Sequence, residues 1–314
     1  MVSFIDSLVG LGFRARGLRG ALAPALPGQR LFDHRRQAFQ ATPPTARGRC
    51  AAVAGQRPGR RRTCVIFLTM HRSGSSATVR LLQAAGLELG SAPLVGPHAS
   101  NPYGHFESLP CVDLNRRLQQ RLFGFADELP PQRERLYPFV QSAPLIADPA
   151  GYAEPADFRA GRRIAAMLGQ DGVVTGLKDP RMPLLWGFWQ RIISGMQGAE
   201  IVPVLVLRSP HAIASSITAR SGGLHRYSDA LLATERHLRC LTAIAGTLPA
   251  VHVVRFGTEF YAADVRRVAD RVGLTLTADD VDANLDRSCI HFADQAIDHP
   301  AQAIYAELCG RFAA

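Results

Sequence analysis

TCVIFLTMHRSGSSATVRLLQAAG, residues 63–86, decides how the fold is read. Thr63–Thr69 is a continuous apolar run, the form a strand takes when both of its faces are buried. Val79, Leu82 and Gln83 begin a helical stripe that Gly86 stops. Between the two lies MHRSGSS, a short turn with one glycine and three serines. A buried strand feeding a helix through such a turn is the opening unit of a doubly wound sheet. Gly74 lets the backbone bend without a Cβ clash. The amides of residues 73–76 would point inward at the start of the helix, where its dipole attracts an anion. Ser73, Ser75 and Ser76 add hydroxyl donors, and Arg72 adds a guanidinium fork. The plain alternative is a serine-rich turn that only caps a helix. The triphosphate pattern G-x-x-x-x-G-K-[ST] is absent, which counts against ATP hydrolysis.

Working outward, Gly172–Leu177, Ile201–Leu207 and Val251–Phe256 read as three further strands. Leu109–Leu122, Phe158–Leu168, Pro183–Ile193, His211–Thr218, Ser228–Thr247, Ala262–Val272 and Ala301–Phe312 read as helices. Residues 90–108 are rich in Gly, Pro, Ser and Asn and predict a loop. Residues 125–157, with many prolines and little periodicity, predict a flexible insertion on the substrate side. The alternation predicts a three-layer α/β/α domain with a central parallel sheet. Three strands end in charged clusters: His71–Ser76, Lys178-Asp179-Pro180-Arg181 and Arg208-Ser209-Pro210. In a parallel sheet all three face the edge where ligands bind.

The net charge of +10 suggests nucleic acid until it is located. Residues 1–62 hold twelve arginines against Asp6 and Asp33, which accounts for all of it; the other 24 basic and 24 acidic residues balance. The domain boundary is therefore drawn after residue 62: a basic, mostly disordered extension over 1–62 and a folded body over 63–314. The extension lacks interleaved aromatics, so specific nucleic-acid binding is not expected. It reads as a poor secretory signal, but its start is compatible with a weak amphipathic helix resting on a membrane. The six cysteines form no C-x-x-C pair and His spacing suggests no zinc site, which points to reduced thiols in a cytoplasm. Lys178 is the single lysine: either one lysine survives by chance in an arginine-biased chain, or a compact ammonium serves there where a guanidinium does not, and its neighbours favour the second.

With these residues in view, the stretch from Thr63 to Val272 resembles the sulfotransferases that use 3′-phosphoadenosine 5′-phosphosulfate (PAPS), above all their bacterial branch. Arg72-Ser73-Gly74-Ser75-Ser76 resembles the family's 5′-phosphosulfate loop, which is Lys-Ser-Gly-Thr-Thr in cytosolic members and HRSG in bacterial ones. Arg208 and Ser216, eight positions apart, resemble the pair that grips the 3′-phosphate. Asn101-Pro102-Tyr103-Gly104-His105-Phe106-Glu107 resembles the bacterial NPKGYFE stretch, with Tyr103 in place of the lysine. Gly176–Arg181 resembles the LKDPR box, and Val254-Arg255-Phe256 through Glu259 and Tyr261 a degraded V-x-Y-E-D-L segment. The Arg-Lys-Gly clamp of cytosolic members is not visible.

The resemblance implies a P-loop nucleoside-triphosphatase-like fold and PAPS as co-substrate, with no metal. Sulfuryl transfer follows the positioning logic of phosphoryl transfer. Arg72 would stabilise the leaving phosphate, and Ser75 and Ser76 would hold it. Glu107 is the first choice of general base, with His105 its competitor and Lys178 beside the sulfuryl oxygens or the acceptor. The bland readings are a helix-start carboxylate for Glu107 and a strand-end ion pair of Lys178 with Asp179. The acceptor, a carbohydrate, lipid or small molecule, cannot be read from these residues. Two other readings stand beside this one: a nucleotide-dependent phosphotransferase on the same fold, and a non-catalytic protein whose basic N-terminus binds nucleic acid or anions.

Overall fold

Strand β1 (Arg62–Thr69) is the hub of the molecule. It pairs in parallel with β2 (Val174–Lys178) on one side and β3 (Ala199–Leu207) on the other. β4 (His252–Arg255) extends the sheet in parallel next to β3, so the order is β2-β1-β3-β4. The computed structural model describes residues 62–98, 101–126, 129–130, 133–141, 149–168, 171–222, 224–287 and 290–312. The extension expected over 1–62 lies outside them apart from Arg62, which opens β1 one residue earlier than the sequence suggested.

Both faces of β1 are buried, and the side-chain period of two divides the core. Cys64, Ile66 and Leu68 enter one apolar cluster, Val65 and Phe67 the other. The first cluster is covered by α2 (Leu109–Phe123), α3 (Arg133–Gln141), α4 (Pro155–Ala166), α5 (Trp186–Ile193), α6 (Pro210–Arg220), α7 (Tyr227–Thr247) and α10 (Pro300–Phe312). The second is covered by α1 (Ser75–Ala84), α8 (Tyr261–Arg271) and α9 (Ala278–Asn284). This is the expected three-layer α/β/α arrangement, with a glycine-bearing turn leading from β1 into α1.

One expectation fails here. The described residues of 125–157 are not structureless. Phe125, Leu129, Leu136, Phe139 and Tyr152 are all buried in the first cluster, and α3 lies within the segment. Phe139 meets Phe123 and Phe125 edge-on, with centroids 5.1 and 5.2 Å apart. The prolines broke the periodicity without removing the apolar anchors. Pro155 opens α4, where its missing N–H has no cost. Residues 142–148 lie outside the described residues. Pro183–Ile193 also differs: a 3₁₀ turn, Met182–Leu185, precedes α5.

Candidate functional site

The carboxyl ends of β1, β2 and β3 share one edge of the sheet. At β1 the chain leaves through Met70–Gly74, with Arg72 at φ 66° and Gly74 at φ 87°. Gly74 caps α1 without any side-chain hydrogen bond, so the first amides of that helix face outward to whatever lies above. The left-handed backbone is one reason for glycine. A second is contact: a Cβ built on Gly74 would lie 2.0 Å from the Phe256 ring. Ser73 does not face the edge as expected. Its hydroxyl donates to Met70 O at 2.8 Å and pairs with the Thr69 hydroxyl, so it braces the turn and has only its amide to offer an anion.

Arg72 joins this loop to the end of β3. Its Nε donates to Ser216 Oγ on α6 at 2.9 Å. Its carbonyl accepts from Arg208 at 3.1 Å, and Arg208 also donates to Phe292 O at 2.9 Å. Arg208 is 6% exposed, and its ion pairs among the described residues are none. Burial, and then the charge of Arg72, lower its guanidinium to about 10 against the opposing pull of Asp294. Its fork lies over the Phe256 ring, 5.3 Å from the centroid. A buried cation held by carbonyls beside a second cation is a place prepared for an anion.

At β2, Lys178 is 3% exposed and Glu107 6%. Lys178 Nζ donates to Glu107 Oε1 at 2.6 Å, to His105 O at 2.9 Å and to Ser76 Oγ at 3.4 Å. Arg181 approaches the other Glu107 oxygen at 3.8 Å. Ser76 also accepts from Asn101 Nδ2 at 3.1 Å and donates to His105 O at 3.3 Å. One hydroxyl therefore ties α1, the end of β2 and the 101–107 loop together. That loop is steadied by Val95 N, which donates to Glu107 O at 2.8 Å, and it turns through Phe106 in the left-handed region at φ 56°. Lys178 and Asp179, expected as a pair, are not one. Asp179 turns away and binds Arg181, accepting from its backbone N at 2.8 Å and from its guanidinium at 3.1 Å.

Burial alone would raise the Glu107 carboxyl. The charges of Lys178, Arg181 and His105, with the Lys178 hydrogen bond, outweigh it and hold the carboxyl well below the usual range. Burial lowers the His105 imidazole to about 4, helped by Lys178, Arg220 and His71 and opposed by Glu107. Glu107 is thus ionised and His105 neutral at neutral pH.

The residues singled out in the sequence come together. Arg72, Gly74, Ser75 and Ser76 form the loop and helix start, Arg208 and Ser216 flank it through Arg72, and Glu107, His105 and Lys178 flank it through Ser76. Tyr103 lies farther out, its hydroxyl on Asp286 at 2.7 Å and its ring under Arg80. Glu259 is exposed, whereas Tyr261 is buried with its hydroxyl 3.3 Å from Thr78 Oγ1. Sequence reasoning missed Phe256 as the floor of the loop and the Phe292 carbonyl. An apolar strand-end residue and a backbone oxygen carry no motif that could have revealed them.

No protein-family model matches the chain, and no curated protein matches it by sequence. Two of the solved structures that resemble it are sulfotransferase domains. The sulfotransferase domain from the Synechococcus PCC 7002 olefin synthase is 15% identical over 79% of this chain and 87% of that one, with a TM-score of 0.41. The sulfotransferase domain from the curacin biosynthetic pathway is 13% identical over 79% of this chain and 98% of that one, with a TM-score of 0.45. The chemistry assigned below rests on this chain's own residues.

Proposed function

We propose that this protein transfers a sulfuryl group from 3′-phosphoadenosine 5′-phosphosulfate to a hydroxyl or amine of an acceptor. The observation that carries the reading is the bridge made by Arg72. It links the loop that opens α1 to the buried Arg208 and to Ser216, so two groups of anion-seeking donors meet at one turn. A donor with a phosphosulfate at one end and a separate 3′-phosphate at the other has an anion for each of these two groups of donors. The α1 amides with Ser75 and Ser76 would hold the 5′-phosphate, and Arg208 with Ser216 the 3′-phosphate. Bound there, the donor supplies an activated sulfuryl group on a phosphate leaving group.

Arg72 contributes fixed positive charge where the leaving phosphate gains negative charge. Lys178, already hydrogen-bonded to Ser76, places an ammonium beside the same loop. The proton-accepting role is assigned to His105 rather than Glu107. Both groups are weakened, Glu107 by Lys178 and Arg181 and His105 by burial to about 4, but the imidazole is the stronger base of the two and has the Glu107 carboxylate beside the cation it becomes. Glu107 then acts by fixing Lys178.

Calorimetry with 3′-phosphoadenosine 5′-phosphate tests the reading. Wild type should bind, and Arg208→Ala should bind at least about tenfold more weakly, as expected for loss of a charge-assisted hydrogen bond. Equal affinity in the two proteins overturns the assignment. Transfer should also persist in excess chelator, whereas a phosphotransferase would stop without its magnesium.

A further inference from the structure

A second feature lies at the opposite edge of the sheet. A groove of about 900 Å³ runs beside the amino ends of β1 and β3, between α4 and α5. Arg62, Arg159, Arg162 and Arg191 line it, and no acidic residue does. Arg62 is paired with Asp171 at 2.7 Å. Arg159, Arg162 and Arg191 form no ion pair with a described residue, and Arg191 lies over the Phe158 ring at 5.4 Å. Phe158 and Ile192 give the groove an apolar floor. Nothing in the reaction proposed above uses this face.

We propose that this groove docks the protein on an anionic phospholipid bilayer, the arginines taking headgroup phosphates and the floor receiving part of an acyl chain. Three observations select that partner. The lining is basic without compensating acids, so its complement is anionic. The lining is also half apolar, which suits a lipid and gives a nucleic acid no row of free aromatic faces to stack on. Finally, Arg62 at the groove is itself the last residue of the stretch that carries the whole net charge of the chain, and Arg60 and Arg61 precede it in the sequence. Basic residues close to an anionic leaflet each add attraction that falls off within a Debye length. Among the described residues no helix is long and apolar enough to cross a membrane, so the contact is peripheral. Docked this way, the candidate site at the carboxyl edge faces the aqueous phase and takes its acceptor from there.

Co-sedimentation of the full chain with vesicles tests this. One set is phosphatidylcholine alone, the other contains roughly one-third phosphatidylglycerol. Wild type should partition to the anionic vesicles only, and less so as salt rises. Arg159→Glu/Arg162→Glu/Arg191→Glu should lower that partition about tenfold or more while its melting curve stays that of a folded protein. Should the triple variant fail to fold, Arg162→Glu alone, read as a salt series against wild type, carries the test. Binding to both vesicle types, no salt dependence, or full binding by the charge-reversed protein would overturn the proposal. So would uptake of soluble decyl phosphate or a single-stranded RNA without vesicle binding.

Discussion

At the residue scale, three side chains make claims that can be measured. Gly74 combines φ 87° with the Phe256 ring in the place of a Cβ. Gly74→Ala must strain the backbone and displace the ring, at a cost of about 2 kcal/mol or more. Denaturant midpoints should show that loss, and affinity for 3′-phosphoadenosine 5′-phosphate should fall with it, because the same ring underlies Arg208. Glu107 and Lys178 form a buried pair at 2.6 Å. Glu107→Gln leaves the ammonium without a full counter-charge and should destabilise by about 3 kcal/mol. Glu107→Gln with Lys178→Met should cost less than the two single losses added, since neither charge is then stranded. Additive losses would mean that the pair is not coupled. His105 gives the pH dependence. Its folded value lies near 4, below its ordinary 6.5, so the unfolded chain takes up the proton first as pH falls. Stability held above pH 6.5 is therefore lost progressively down to about 4, with a slope of at most about 1.4 kcal/mol per pH unit, reduced because the ring is partly exposed. His105→Asn should flatten the unfolding midpoint between pH 6.5 and 4; an unchanged slope would remove the assignment.

At the scale of the element, the segment from Phe125 to Tyr152 is where reading and structure part, and it carries its own test. Phe139→Ala removes a buried ring that meets two others edge-on, and should cost about 3–5 kcal/mol. A flexible insertion would give almost no change in urea denaturation. The strands were legible because both faces of each are buried, so Val65, Ile66, Phe67 and Leu68 stand in an unbroken apolar run. The turn after β1 was legible because Gly74 and its serines have few other uses. Helix α3 was not. Its burial comes from contacts with distant α7 and α2, and RERLYPFVQ has a proline in the middle. Short α9 was missed for a similar reason, although Thr277 and Asp280 form a capping box that could have announced it. In the site, charged side chains showed their positions but not their pairings. Lys178-Asp179 reads as an ion pair along the chain, yet a strand end sends successive side chains to opposite faces. Lys178 meets Glu107 seventy-one positions earlier, and Asp179 meets Arg181. The Phe256 floor under Gly74 depends on β4 lying next to β3, which no local pattern encodes.

At the scale of the molecule, the candidate site is held by both halves of the core. Arg72 and Arg208 sit at the ends of β1 and β3, whose side chains alternate between the two apolar clusters. Ser216 lies on α6 from the first cluster, while α1 and Phe256 belong to the second. A ligand gripping these groups binds only when both faces of the sheet are packed. Nucleotide binding should therefore stabilise the whole described body as one cooperative unit. With 3′-phosphoadenosine 5′-phosphate at about a hundred times its dissociation constant, the gain is about 2.7 kcal/mol. For a domain of this size that raises the melting temperature by roughly 5–10 °C. Differential scanning calorimetry should show a single transition moving upward in wild type and standing still in Arg208→Ala. Two transitions, only one of which responds to the nucleotide, would mean that the ligand is held by one face of the sheet, and the bridge through Arg72 could not be what joins the two anion subsites.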